Sequence, residues 1–346
     1  MPRLPLPGPI RRRLDRAATP TGFRTAAFAL LFLLWAIIPS GAAVRLTASG
    51  LGCDAWPNCA EGSLIPAQDA NAWIEFTNRL FSGGVIIFAV LVWLVARRLP
   101  GRPAGLRGPA LLAAACTVGQ VPLGAVTVEF DLHPVLVGSH FLLSVVALAI
   151  GTLLALRAND HARGITRDAD RRMGIPAALT AVCLGGVIVT GVLVTAAGPH
   201  SGDRGAIDRI WALNEAAYVH VRVVIAFVCV AAVLAFVAWR RERRGAPVDA
   251  FAKNLGIATI PLLGIQIALG EIQYRNGLPW GIILAHVSIA GLLWVATLTV
   301  TWRLARPAEA QERRSASDWQ GTHLSASGSA SSRRSGIASP QSTHTP

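Results

Sequence analysis

The stretch QVPLGAVTVEFDLHPVLVGSH, residues 120–140, decides the fold. It returns 146 residues later as QIALGEIQYRNGLPWGIILAH, residues 266–286. Without a gap, Gln120 falls on Gln266, Leu123 on Leu269, Gly124 on Gly270, Leu132 on Leu278 and His140 on His286. Each copy reads as the end of one apolar segment, a short polar turn, and a second apolar segment with a histidine about two turns in. An imidazole inside a membrane helix is costly unless it faces a partner. Two at matching places fit either two copies of a ligand site or a duplicated helix pair whose histidines are packed and hydrogen-bonded.

The rest of the chain has the same character. Of its 346 residues 53% are hydrophobic and 15% charged, against about 25% charged in soluble domains. Eight stretches of about 20 apolar residues can each span a bilayer. They run from Phe23 to Val44, Ile74 to Ala96, Pro109 to Val128, Pro134 to Leu156, Gly174 to Ala197, Leu213 to Trp239, Asn254 to Ile272 and Leu278 to Trp302. The first follows a basic start with Arg11, Arg12 and Arg13, which also suits a signal peptide. It is long for one, and seven spans follow, so it reads as a helix that stays.

The net charge of +13 does not point to nucleic acid, because the arginines sit in alternate loops and at the two ends. Loops after spans two, four and six carry clusters such as Arg97, Arg98, Arg102 and Arg107, or Arg240, Arg241, Arg243, Arg244 and Lys253. Loops after the odd spans carry only Arg45, Arg204, Arg209 and Arg275. The positive-inside rule puts the first set, and both termini, in the cytoplasm. Gly41 and Val44 resemble Gly191 and Val194, so the repeat covers four spans in one orientation. The expected architecture is an all-α membrane protein of two pseudo-symmetric four-helix bundles. Its segments are a basic start (1–22), a first half (23–156), a linker (157–173), a second half (174–302) and a Ser-, Arg- and Pro-rich tail (303–346) without apolar periodicity.

His140, His220 and His286 lie in spans four, six and eight, each within two turns of the outer end. The position in span two that resembles His220 is Asn78. The second half thus offers two imidazoles and the first half one with an amide. Two imidazoles from neighbouring helices suit a six-coordinate heme iron. Zinc wants four ligands, and copper stays open by residue type. Arg79 and Arg222 fit either propionate partners or side chains that snorkel to the interface. Glu75, one turn before Asn78, fits a proton-handling acid or a solvated carboxylate near a helix start. Cys53 and Cys59, in GLGCDAWPNC, are spaced for a disulfide on the oxidising side, as a loop staple or as a redox pair. His133 and His200 read as loop or rim histidines. Cys116, Cys183 and Cys229 read as small apolar packing residues.

Taken in order, RLTASGLGCDAWPNC, IEFTNR, LHPVLVGSH, TAAGPHSGD, the His220 segment and GLPWGIILAH resemble the heme A synthase family over about residues 23–302. The resemblance implies two four-helix bundles with heme pockets toward the outer face of a bacterial plasma membrane. It implies oxidation of the ring methyl of heme O to the formyl of heme A, for terminal oxidases. His220 and His286 would hold heme b, His140 would sit at the heme O pocket, and Glu75 would be the required acid. Asn78, Arg79, Arg222 and His133 would be candidate rim residues of the substrate pocket, and Cys53 and Cys59 the outer-loop pair. Heme O synthase and oxidase assembly factors are the implied partners, besides lipid and an electron donor that the sequence does not identify. There is one departure. The family motif in span two usually ends His-Arg, and here it is Asn78-Arg79. His140 alone would then hold the substrate heme, with the sixth iron position open. Three other readings compete: a membrane diheme b-type electron carrier, a repeat-built transporter with broken helices, and an assembly partner that only hands on heme.

Overall fold

The computed structural model describes residues 12, 15, 17–53, 59, 65–66, 69–101, 103–199, 211–246 and 248–308. His200 and the tail beyond 308 lie outside them. Among the described residues eight helices are long and apolar enough to cross a membrane. They are α1 (Pro20–Leu46), α2 (Ala70–Ala96), α3 (Ala104–Glu129), α4 (Pro134–Arg163), α5 (Arg171–Ala197), α6 (Leu213–Arg243), α7 (Ala250–Arg275) and α8 (Trp280–Ala305). This is an all-α, multi-pass membrane protein.

Each helix contains one of the expected spans, and most begin several residues earlier. The reason is capping. Asp69, Asp170 and Asp249 accept hydrogen bonds from the first-turn amides of α2, α5 and α7, satisfying donors that otherwise lack partners. Hydropathy sees only the apolar middle. Span eight is the exception, since Leu278 lies outside α8. Its φ is +63°, and Gly277 before it is at +72°. The matching pair in the first half, Asp131 and Leu132, is at +49° and +57°. Leu132 N donates to Thr127 O at 2.9 Å, and Leu278 N to Gln273 O at 2.8 Å. The repeat is therefore conserved down to backbone conformation. A left-handed leucine costs roughly 1 kcal/mol, and both copies are held in place by packing. An ideal Cβ on Gly50 would lie 2.8 Å from Leu132, and one on Gly198 would lie 3.7 Å from Leu278. The turn between the third and fourth helix of each half thus rests on the glycine-bearing segment that follows the first.

In the first half α1, α2, α3 and α4 pack in a closed ring. Its core includes Phe23, Ala27, Leu30, Leu34 and Ile38 along one stripe of α1, the i, i+3, i+4 pattern of a buried face. Small residues such as Ala110, Ala113, Ala155 and Ala158 let backbones approach. In the second half α5 packs on α6, α7 on α8 and α5 on α8, while α6 and α7 share no packing seam. The halves meet through α1 and α4 against α8, and α4 against α5. Two indoles close that interface. Trp35 Nε1 donates to Ser288 O and Trp294 Nε1 to Val145 O, both at 3.1 Å. Helix α5 runs through Gly185 and Gly186 without a break, so the broken helix expected of a transporter is not there.

Candidate functional site

All three span histidines lie near the same end of the molecule. His140 and His286 are each the seventh residue of their helices, and His220 is the eighth of α6. At 1.5 Å per residue that is about 10 Å in from the helix start. Asn78 is the ninth residue of α2.

Each imidazole is backed by a glycine on the preceding helix. An ideal Cβ on Gly124 would lie 3.4 Å from Cε1 of His140, one on Gly191 3.4 Å from Cε1 of His220, and one on Gly270 3.2 Å from Cε1 of His286. In all three the next atom met is Nδ1, at 3.8 to 3.9 Å. The Cε1–Nδ1 edge therefore faces the neighbouring helix, and Nε2 faces away from it. Nδ1 of His220 pairs with Thr190 Oγ1 at 3.0 Å. Nδ1 of His140 and of His286 are buried with no hydrogen bond of good geometry. No Nε2 makes a hydrogen bond among the described residues, and none belongs to the fully buried unpartnered atoms. His220 and His286 stand on α6 and α8, which both pack on α5.

Asn78 occupies the fourth such place. Its glycine is Gly41, whose ideal Cβ would meet nothing within 4 Å. Asn78 Nδ2 donates to Ser40 Oγ at 2.9 Å. Ser40 precedes Gly41 as Thr190 precedes Gly191, so one hydroxyl-glycine pair recurs in both halves, once against an amide and once against a ring.

Glu75 is buried, at 5% exposure, which removes the reading of a solvated carboxylate. Its Oε2 accepts from the backbone N–H of Cys53 at 3.0 Å, and its Oε1 pairs with Arg79 one turn on. Cys53 and Cys59 are disulfide-bonded and pack on Ala72 and Phe76 of α2. The loop docks tightly there. An ideal Cβ on Gly52 would lie 2.7 Å from Ala72 N, and Ser49 Oγ donates to Asn71 Oδ1 at 3.0 Å. The disulfide, Glu75 and Arg79 form one unit on the face of α2.

Two expected rim residues stand apart. The guanidinium of Arg222 lies 3.6 Å over the Tyr218 ring and is exposed. Two residues past His220 is about 200° around the helix, so this is the snorkelling arrangement. His133 is exposed and caps α4, its Nδ1 accepting from Val135 N at 3.4 Å. The sequence reading missed the glycine backing and the hydroxyls of Ser40 and Thr190. Their signal was the repeated pair itself, SG at 40–41 and TG at 190–191.

The donor set fits iron porphyrin. It offers two imidazoles in one half, a single imidazole in the other, and Nε2 atoms without a hydrogen-bond partner among the described residues. A bare ion fits poorly, since no cluster of three or more His, Cys, Asp or Glu side chains occurs among the described residues. A family model described as COX15-CtaA, cytochrome oxidase assembly protein, matches residues 24–298. The chain belongs to this family. It is 25% identical over 325 residues to the heme A synthase of Shewanella oneidensis, covering 81% of this chain and 94% of that protein. It is 33% identical over 131 residues to the heme A synthase of Bacillus licheniformis, covering 37% and 41%. It is 40% identical over 92 residues to a protoheme IX farnesyltransferase of Thermus thermophilus, covering 25% and 15%. In this member of the COX15-CtaA family the glycine-backed imidazoles are His140, His220 and His286.

Proposed function

We propose that this protein is a membrane heme A synthase, oxidising the ring methyl of heme O to the formyl of heme A. The observation that carries this reading is the duplicated glycine-backed imidazole at one end of both halves, with a buried, doubly held Glu75 one turn from Asn78 in the first half. His220 and His286 hold a heme b in the second half (174–302). His140 holds the substrate in the first half (23–156). When bound, the iron porphyrins supply the redox chemistry. The chain does the rest. Glycines 124, 191 and 270 set the imidazole planes. Glu75 holds or moves a proton, and the Cys53 N–H at Oε2 and Arg79 at Oε1 keep its carboxyl group in place.

Three histidines gathered at one end argue against a diheme carrier, which needs hemes near both faces. The arginine-rich end, with the 157–173 linker and both termini, is cytoplasmic, and the histidine end faces the outside of a bacterial plasma membrane. There the Cys53–Cys59 bridge persists. The partners are heme O, heme A, lipid, heme O synthase, oxidase assembly factors and an electron donor.

The test is chemical. The protein is expressed with a heme O supply, and the copurifying hemes are separated by chromatography with mass detection. Heme A or its hydroxymethyl precursor is expected, and neither in a Glu75→Ala control. Heme B alone, in protein supplied with heme O, would overturn the reading.

A further inference from the structure

Four places in the fold are equivalent, and one is built differently. At three of them an imidazole lies against a glycine of the preceding helix. At the fourth, Asn78 is held by Ser40 and the space over Gly41 is open to at least 4 Å. The pairing of Ser40 with Asn78 copies that of Thr190 with His220, so the amide has the position of a ring without its reach. An amide nitrogen gives its lone pair to the carbonyl and is a poor iron donor. The amide keeps a second N–H that Ser40 does not use. Helices α2 and α4 face each other across the closed first ring, as α6 and α8 do in the second half.

We infer that the first half contains a binding site for a neutral diatomic ligand, bounded by Gly41, Ser40 and Asn78, on the porphyrin face opposite His140. This rests on the heme reading given above and deepens it. His140 would supply one imidazole, no described residue faces it with a second, and the spare Asn78 N–H would donate to the bound ligand. The second half, with His220 and His286, is closed to such ligands. The two halves thus differ in what they admit, and the difference lies at one residue.

Carbon monoxide is the probe. The heme-loaded full chain is reduced in nanodiscs and titrated with carbon monoxide under visible and infrared spectroscopy. Wild type is expected to bind about one carbon monoxide per chain while a low-spin component remains unchanged. Asn78→His, which places a ring against Gly41, is expected to weaken carbon monoxide binding at least tenfold and add a second low-spin component. Asn78→Leu keeps binding but shifts the C–O stretch upward, because the donor is gone. The His220–His286 component serves as the internal check of folding in every variant, and a variant that loses it is replaced by Asn78→Gln. Heme-loaded wild type that binds no carbon monoxide, or Asn78→His that binds it like wild type, would overturn the inference and leave the synthase reading standing. Protein that takes up no heme would sink both.

Discussion

At the scale of single residues, the informative ones are those with no side chain. Gly124, Gly191 and Gly270 decide where three imidazole rings lie, and nothing in their own chemistry announces it. Gly270 is the tightest, with a would-be Cβ 3.2 Å from the His286 ring. Gly270→Ala should therefore push that ring by a few tenths of an ångström. Overpacking of this kind costs about 1 kcal/mol or more, so heme retention in the second half should fall about fivefold. Gly191→Ala, at 3.4 Å, should cost less. Transfer of heme to an excess of a soluble heme-binding protein gives both rates, and equal rates for the two variants would contradict the ordering. Glu75 is informative for the opposite reason, through its side chain. Glu75→Gln keeps the shape and can still accept from the Cys53 N–H, but it cannot pair with Arg79 or carry the proton. Loss of a positioned acid typically costs 100-fold or more. Conversion of heme O should fall by that much while the absorption of the His220–His286 heme is unchanged.

At the scale of elements, the legible part of this chain was its repetition. A 146-residue shift found α3–α4 and α7–α8, and hydropathy placed seven of the eight spans inside the helices observed, the eighth starting two residues before α8. What stayed hidden is where polar groups act at short range. The aspartates at 69, 170 and 249 lengthen helices because they satisfy first-turn amides, and a hydropathy window averages them away. The ring turns and the hold of Cys53 N–H on Glu75 are likewise contacts between elements, which no periodicity encodes. Glu75 was legible as a candidate, but its environment was not: Cys53 of the docked loop and Arg79 hold it in a buried place. That loop makes a prediction at its own scale. Closing a loop this short constrains the unfolded chain by about 2 kcal/mol. Cys59→Ser should leave the helices intact, because none of them depends on the bridge, yet loosen the backbone that donates to Glu75. The expected outcome is unchanged far-ultraviolet dichroism, a bound heme b, and conversion lowered about tenfold or more. Full activity in that variant would show that the Ser49–Asn71 contact and the close seat of Gly52 hold the loop without the sulfurs.

At the scale of the whole molecule, the two halves are joined at both levels of the membrane, by indoles in the middle and by charge at the arginine-rich end. Arg167, in the segment between halves, donates to both oxygens of Asp160 at 2.7 and 3.1 Å and reaches Asp249 at 3.5 Å. Asp249 also takes Arg303 of α8, Asp170 takes Arg241 of α6, and Asp170 N donates to Ala305 O at 2.8 Å. One arginine thus ties the end of α4 to the start of α7, and its side chain is only 6% exposed. Burial pushes the Asp249 carboxyl up, but the hydrogen bonds from Arg303 and the Ala252 amide, with the charges of Arg303 and Arg167, hold it below its ordinary range. Asp170 is also held low, burial being outweighed by Arg241 and two backbone amides. A carboxylate whose folded pKa is depressed stabilises the fold fully above its unfolded pKa. That stabilisation is lost as the pH falls from the ordinary carboxylate value through the lowered one. The junction should therefore hold at neutral pH and weaken only in acid below about pH 4. Arg167→Ala leaves the Asp160 carboxylate without its arginine and Asp249 with Arg303 and the Ala252 amide, a loss of about 3 kcal/mol for a buried pair broken on one side. Thermal unfolding in nanodiscs should show a lower midpoint for Arg167→Ala at pH 7. The gap to wild type should shrink once the pH drops below about 4, because a protonated Asp249 no longer misses the charge of the arginine. A gap that stays constant across that range would place the role of Arg167 in packing rather than in charge.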